Sequence, residues 1–302
     1  MKPFLSREPS SLKVGDDLKP REFWAFVSPS VVVMTVLMVF PLFTTIYLSF
    51  FNFNFGVEPK FIGFLNYTRI LEDSRFWSAL GFTLFYMVVS IPIQILLGFG
   101  LALILNEITA LKRFFISLYL VPYIVTPVVG TLAISWLFKD RGVITWLLSN
   151  IGVNIQWYAD ATAARGLLIG YGIWGAVPFI MLMLYAGLQA MPADPIEAAI
   201  MDGATWWQRV RFVMIPYLRP IFIFIGMVNI MDAYRLFDSV AVMTQGGPGN
   251  ATATIMYYTY SVAFQEQLLG RASASIVLAV IVIITLLYPF LRQTYFDIVG
   301  KK

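Results

Sequence analysis

Three charged residues stand out against apolar surroundings. Asp232, Arg235 and Asp238 fall within residues 220–243, a stretch otherwise long and apolar enough to cross a bilayer. On a helix, a spacing of three makes successive members neighbours, so Arg235 can pair with either carboxylate. A charge held in hydrocarbon is costly unless paired or hydrated, so the set must face a bundle interior or a wet cavity. Two roles fit and can coexist: an ion network that fixes helix packing, and the polar lining of a translocation path. Asp238, nearest the Gly-Gly-Pro at 246–248, sits closest to the outer mouth on this reading.

Much other chemistry is excluded. The chain has 302 residues with no cysteine and no histidine, which removes disulfides, thiolate metal sites, cysteine nucleophiles and imidazole acid–base catalysis. No metal site is expected. Charged residues make up only 13% of the chain and mean hydropathy is +0.77, against roughly 25% charge in soluble domains. The elements that must position the three charges are therefore membrane helices.

Uncharged stretches locate them. Span one is expected at about 24–52, span two at 76–106, span three at 114–138, span four at 166–190, span five at 220–243 and span six at 272–293. Together they form one membrane domain, 24–296, between a polar tail (1–23) without a signal peptide's apolar core and a short tail (297–302). Residues 142–159 are also uncharged but carry Asn150, Gly152, Asn154 and Gln156, so an interfacial amphipathic helix is expected there. Its Trp146, Trp157 and Tyr158 would sit at headgroup level. Six spans put both termini on one side. With that side cytoplasmic, 13 of the 21 Lys and Arg lie inside and seven outside, Arg235 being within a span.

The expected cytoplasmic loop 191–219 reads as two short helices around a glycine. Asp194 is the expected N-cap, Pro195 the first helical residue, and Glu197 the partner in a capping box. Ala198 and Ala199 are small enough for another surface to approach. Gly203 permits a turn at positive φ. Thr205 can cap a second helix bearing Trp206, Trp207 and Phe212, which Pro216 and Pro220 are expected to end before span five.

Glu197-Ala198-Ala199, then Gly203, then Val213-x-Ile215-Pro216 resembles the "EAA" loop of the membrane subunits of binding-protein-dependent ATP-binding-cassette (ABC) importers. FDSVAVMTQGGPGNAT (237–252), AFQEQLLGRASASI (263–276), KDRGVITWLLSNIG (139–152) and YGIWGAVPFIMLMLYAGLQAMPADPIEAA (171–199) extend the likeness to the maltose-type sugar permeases as a group. Ile215 stands where many members carry leucine.

The resemblance implies an all-α membrane protein with six transmembrane helices of the type I ABC importer permease fold and both termini cytoplasmic. It implies that 191–219 is a coupling loop meeting an ATPase through Glu197, Ala198, Ala199, Asp202, Gly203 and Ala204. A sugar path would be lined by Trp174, Ala176 and Phe179 of span four and by Asn229, Asp232, Ala233, Arg235 and Leu236 of span five. Gly246, Gly247 and Pro248 would face an extracytoplasmic substrate-binding protein. The implied partners are a second permease and two ATPase subunits, in a bacterial inner membrane.

This chain contains no GxxxxGK[ST] phosphate loop, so no cofactor is expected on it; ATP and Mg would act on the partner ATPase. Two rivals stay open. One is an ion-coupled secondary transporter using Asp232 and Asp238; the other is an importer of the same type for a non-sugar solute such as a glycerol-phosphate. A membrane-embedded enzyme lacks reactive groups.

Overall fold

The computed structural model describes residues 20–54 and 56–299; most of the expected 1–23 tail and the end of the 297–302 tail lie outside them. Two compact units divide the chain, one up to residue 47 and one from Leu48 on. The first holds nearly all of the helix α1, Phe23–Leu48, which is apolar and mostly exposed, with a π turn at Thr35–Val39. The helix ends four residues short of the expected boundary. Phe51–Asn52 (β1) instead pairs antiparallel with Lys60–Phe61 (β2).

The second unit contains α2 (Leu65–Leu71), α3 (Ser74–Glu107), α4 (Lys112–Ile124), α5 (Pro127–Phe138), α6 (Val143–Asn150), α7 (Ala161–Gln189), α8 (Asp194–Met201), α9 (Trp206–Tyr234), α10 (Ile255–Tyr260) and α11 (Leu269–Val299). Among the described residues, five helices (α1, α3, α7, α9 and α11) are each long and apolar enough to cross a membrane. A bent pair, α4 with Pro127–Asn150, makes up to six. Span three is therefore not the continuous helix expected. The chain turns through 93° between Ile124 and Pro127, because proline disfavours helical geometry at the residue before it. Val125 and Thr126 are accordingly extended.

α6 is shorter than the expected amphipathic segment. Trp146 is exposed as expected, but Trp157 and Tyr158 turn inward. The Trp157 ring meets Phe138 edge-on at 4.9 Å, and the Tyr158 hydroxyl donates to the Ser135 carbonyl. Burying two rings against α5 outweighed placing them at the interface.

α3 and α7 form the spine of the bundle, with the buried Gln94 donating from α3 to the Gly172 carbonyl of α7 at 3.2 Å. One core cluster, including Phe82, Leu168, Tyr234, Val240 and Ile255, fills one half of the unit. A second, including Leu105, Ile180, Leu184, Met214 and Leu218, fills the half nearer α8. At the end opposite α8, Arg75 pairs with both Asp73 and Glu266, and the Tyr258 hydroxyl donates to Asp73. Burial pushes the Asp73 carboxyl up, but the hydrogen bonds from Arg75 and Tyr258 prevail and hold it below its ordinary value.

Candidate functional site: a hairpin and a cleft joined by one helix

The hairpin between α7 and α9 is built by local rules. α8 closes with Gly203 N–H bonding the Ile200 carbonyl (3.0 Å) and Ala204 N–H bonding the Ala199 carbonyl (2.9 Å), and Gly203 sits at φ +78°. Thr205 and Gln208 then form a capping box, each side chain meeting the other's backbone N–H. The Arg209 guanidinium donates back to the Ala204 carbonyl at 3.0 Å.

The capping expected of Asp194 is absent. Ala193 holds the cap position with helical dihedrals and no side-chain bond, so Asp194 lies inside the first turn. A cap needs extended backbone to reach the free N–H groups. Asp194 and Glu197 instead place two carboxylates at the positive end of the α8 dipole.

Pro216 and Pro220 do not end the second helix. A π turn at Val210–Met214, closed by Ile215 N–H on the Val210 carbonyl, precedes Pro216. The wider turn makes room for a ring that would otherwise collide with the carbonyl four residues back. The helix therefore runs unbroken through 29 residues, Trp206–Tyr234, about 43 Å at 1.5 Å per residue.

The hairpin's outer surface is apolar. Ile200, Met201, Trp207 and Phe212 are exposed, Met201 at 87%. Glu197, Ala198, Asp202 and Gly203 are exposed beside them, while Ala199 and Ala204 are half-buried. Four exposed large apolar side chains within one short hairpin are the composition of an interaction surface.

At the other end of α9 the helix stops at Tyr234, and residues 235–237 are non-helical. Neither glycine nor proline lies there. The break is held from outside: the Tyr234 hydroxyl donates to the Ala279 carbonyl of α11 at 2.7 Å, and the Thr254 hydroxyl takes the Leu236 carbonyl at 2.6 Å. Helical structure resumes at Asp238 and includes a π turn, Val240–Thr244. The expected row of three charges on one helix is thus corrected. Asp232 and Arg235 pair at 2.7 Å, both exposed, and Asp238 lies beyond the break.

All three nevertheless line one cleft of about 400 Å³ with Pro127, Tyr171, Leu236, Phe237 and Ser239. The Tyr171 hydroxyl is fixed by the Pro127 carbonyl at 2.8 Å. The Ser239 hydroxyl is buried and has no hydrogen-bond partner among the described residues. Tyr171 also walls a neighbouring apolar cavity of about 340 Å³, where Trp174 stands with Trp157 and Phe138 over Gly166 and Gly170.

The cleft thus gathers Asp232, Arg235 and Leu236 from the expected path. Trp174 is next door. Ala176 is half-buried, and Phe179 stacks on Tyr123 at 5.8 Å. Asn229 and Ala233 are buried, the Asn229 amide donating to its own helix at the Ile225 carbonyl. Tyr171 and Ser239 had no signal in the sequence, because only the fold brings them together.

The loop after the cleft is ordered. Gly246, at φ +78°, is buried where a Cβ would press on the Tyr257 ring, and Gly247 and Pro248 are half-buried. Thr252 bonds Thr244 and the Gly247 carbonyl. Gly249 and Asn250 are the exposed tip.

One long helix joins an exposed apolar hairpin to a polar cleft in a bundle of helices apolar and long enough to span a membrane. The chain belongs to the family of binding-protein-dependent transport system inner membrane components, which it matches over residues 69–297. It is 32% identical over 274 residues to the probable ABC transporter permease protein y4oQ of Sinorhizobium fredii, covering 89% of each chain. To the trehalose/maltose transport system permease protein MalF of Thermococcus litoralis it is 31% identical, covering 79% of this chain and 82% of the relative. Its fold matches a chain of a bacterial alginate ABC transporter crystallised with an alginate pentasaccharide-bound periplasmic protein. That likeness has a TM-score of 0.79 at 18% identity and covers 91% and 93% of the two chains. The protein is a permease component of an ABC transporter, not an enzyme, and these relatives do not favour the ion-coupled alternative.

Proposed function

We propose that the chain is one permease of an ATP-driven, binding-protein-dependent importer for a sugar or sugar derivative, working by alternating access. The observation that carries this is the unbroken α9, rooted in the apolar hairpin and ending at the charged cleft. Residues 191–219 form the coupling loop, with Glu197 and its neighbours against an ATPase. Movement of the hairpin is passed along a rigid helix to the cleft, which opens to one side of the membrane or the other. The sugar class rests on the substrate named for the T. litoralis relative.

On this reading six spans, the bent pair counted as one, place both termini in the cytoplasm of a bacterial-type cell. A second permease and two ATPase subunits complete the assembly, with ATP and Mg held by the ATPases. An extracytoplasmic binding protein docks at the end bearing residues 246–250. The test is copurification and transport. The tagged chain, expressed with its neighbours, should bring down a nucleotide-binding subunit, and proteoliposomes of the complex should accumulate trehalose or maltose only with internal ATP. Uptake driven by an ion gradient without ATP overturns the reading.

A further inference from the structure

We propose that the cleft at the α9 break selects against anionic solutes and takes an uncharged or amine-bearing polyol, with Ser239 as a contact to the ligand. This rests on the permease reading above and narrows its substrate class.

Among the residues lining the cleft, Arg235 is the single cation, and its guanidinium is engaged by Asp232 at 2.7 Å. Asp238 shares the cleft and has no ion-pair partner among the described residues. Two carboxylates against one guanidinium leave the lining with one net negative charge. A phosphate or carboxylate entering it meets a cation already committed and a carboxylate that repels it. Sugar hydroxyls meet the opposite case. They are donors, and carboxylate oxygens are acceptors with lone pairs to spare.

Ser239 supplies an independent observation. It is 3% exposed, it lines the cleft, and its hydroxyl has no partner in the described structure. A buried hydroxyl without a partner is unfavourable in the ligand-free protein. Its oxygen is covered as it stands, so a ligand hydroxyl reaches it when the side chain turns to another rotamer, and then satisfies it as donor or acceptor. Tyr171, locked by its bond to the Pro127 carbonyl, offers a ring beside these groups. One apolar face with convergent hydroxyl and carboxylate groups suits a pyranose ring, whose C–H face is apolar and whose edge is polar. The glycerol-phosphate alternative fits this charge pattern poorly.

The test is equilibrium binding to the purified permease–ATPase complex in lipid nanodiscs, without the binding protein, so that selectivity of that partner does not enter. The probes are three disaccharides of similar size: maltose, digalacturonate, and the disaccharide of glucosamine. Digalacturonate should bind about fivefold or more weaker than maltose at low ionic strength, the scale expected of one like charge across a solvent-open cleft. The glucosamine disaccharide should bind at least as tightly as maltose.

Asp238→Asn should bring digalacturonate to within about twofold of maltose, while Asp238→Glu keeps the gap. If Asp238→Asn does not assemble, raising ionic strength on the unaltered complex must narrow the gap instead. Ser239→Ala removes a hydroxyl with no protein partner, so thermal stability should hold while all three probes weaken together. Digalacturonate binding as tightly as maltose, or a gap indifferent to both Asp238→Asn and salt, overturns the charge assignment and leaves the permease reading intact. Unchanged binding in Ser239→Ala overturns the contact assigned to Ser239. Absence of saturable binding by all three probes overturns both the inference and the sugar reading beneath it.

Discussion

The two ends of α9 differ in what holds them. The turn of the hairpin is closed by bonds that span at most five residues: Ala204 to Ala199, Gly203 to Ile200, Thr205 with Gln208, Arg209 to Ala204. Behind the turn, the Tyr217 hydroxyl also ties α9 to the Ala190 carbonyl at 3.0 Å. The cleft end is held by partners far away in sequence, Ala279 for Tyr234 and Thr254 for Leu236. A locally built element keeps its shape while its surroundings move, as a lever tip must. A break held by neighbouring elements changes shape when they shift, as a gate must. On the proposed transport reading, the first end suits transmitting a motion and the second suits responding to it.

The largest expected effect tests the rigid end. Gly203 has no neighbouring atoms where a Cβ would stand, so substitutions there report on backbone conformation alone. A β-branched residue at φ +78° is a true outlier, other L residues cost about 1–2 kcal/mol, and asparagine is tolerated best. Gly203→Val should abolish coupled uptake while the protein still inserts, Gly203→Ala should retain part of it, and Gly203→Asn most of it. The measurement is ATP-driven uptake per inserted transporter. A flat series would show that the hairpin's geometry carries no signal.

Next comes the cleft end. Thr254 is fully buried, bonds the Leu236 carbonyl and also caps α10 by accepting from Tyr257 N–H. Thr254→Val keeps the shape and removes both bonds, at about 1–3 kcal/mol. The melting temperature should fall and disaccharide affinity should weaken, with ATPase copurification unchanged. A stability loss without any change in affinity would mean that the break is not part of the gate.

Arg235 sharpens the comparison with a smaller effect. Its pair with Asp232 is exposed, not buried among three charges, and exposed pairs contribute about 0.2–1 kcal/mol. Arg235→Ala should therefore leave assembly intact, contrary to the loss expected of a buried network, and act on solute selectivity instead. Quantifying the assembled complex decides this; failure to assemble would restore the packing role.

Cysteine labelling should perturb least at 154 and 250, whereas a thiol at 208 also removes the Gln208 half of the capping box. The chain has no cysteine, and Asn154, Gln208 and Asn250 are all exposed. A thiol at 154 or 250 should react with an impermeant reagent in intact cells, and one at 208 only after permeabilisation. Labelling at 208 from outside would put the hairpin on the wrong side for an ATPase.

The sequence by itself determined the apolar spans, because long uncharged runs have one favourable medium. It also determined most of the hairpin, because the Gly203 turn and the Thr205–Gln208 box are satisfied within a few residues. Tertiary structure decided the rest. Prolines 216 and 220 read as helix stops until a π turn accommodated them. The 93° bend before Pro127 broke a span that looked continuous. The end of α9 at Tyr234 carries no local breaker, since the bonds that stop it come from α11 and from Thr254. Ser239 and Tyr171 joined the charged residues for the same reason. Partners 18 and 45 residues apart leave no mark in a local pattern, and only the packing of one element against another brings them together.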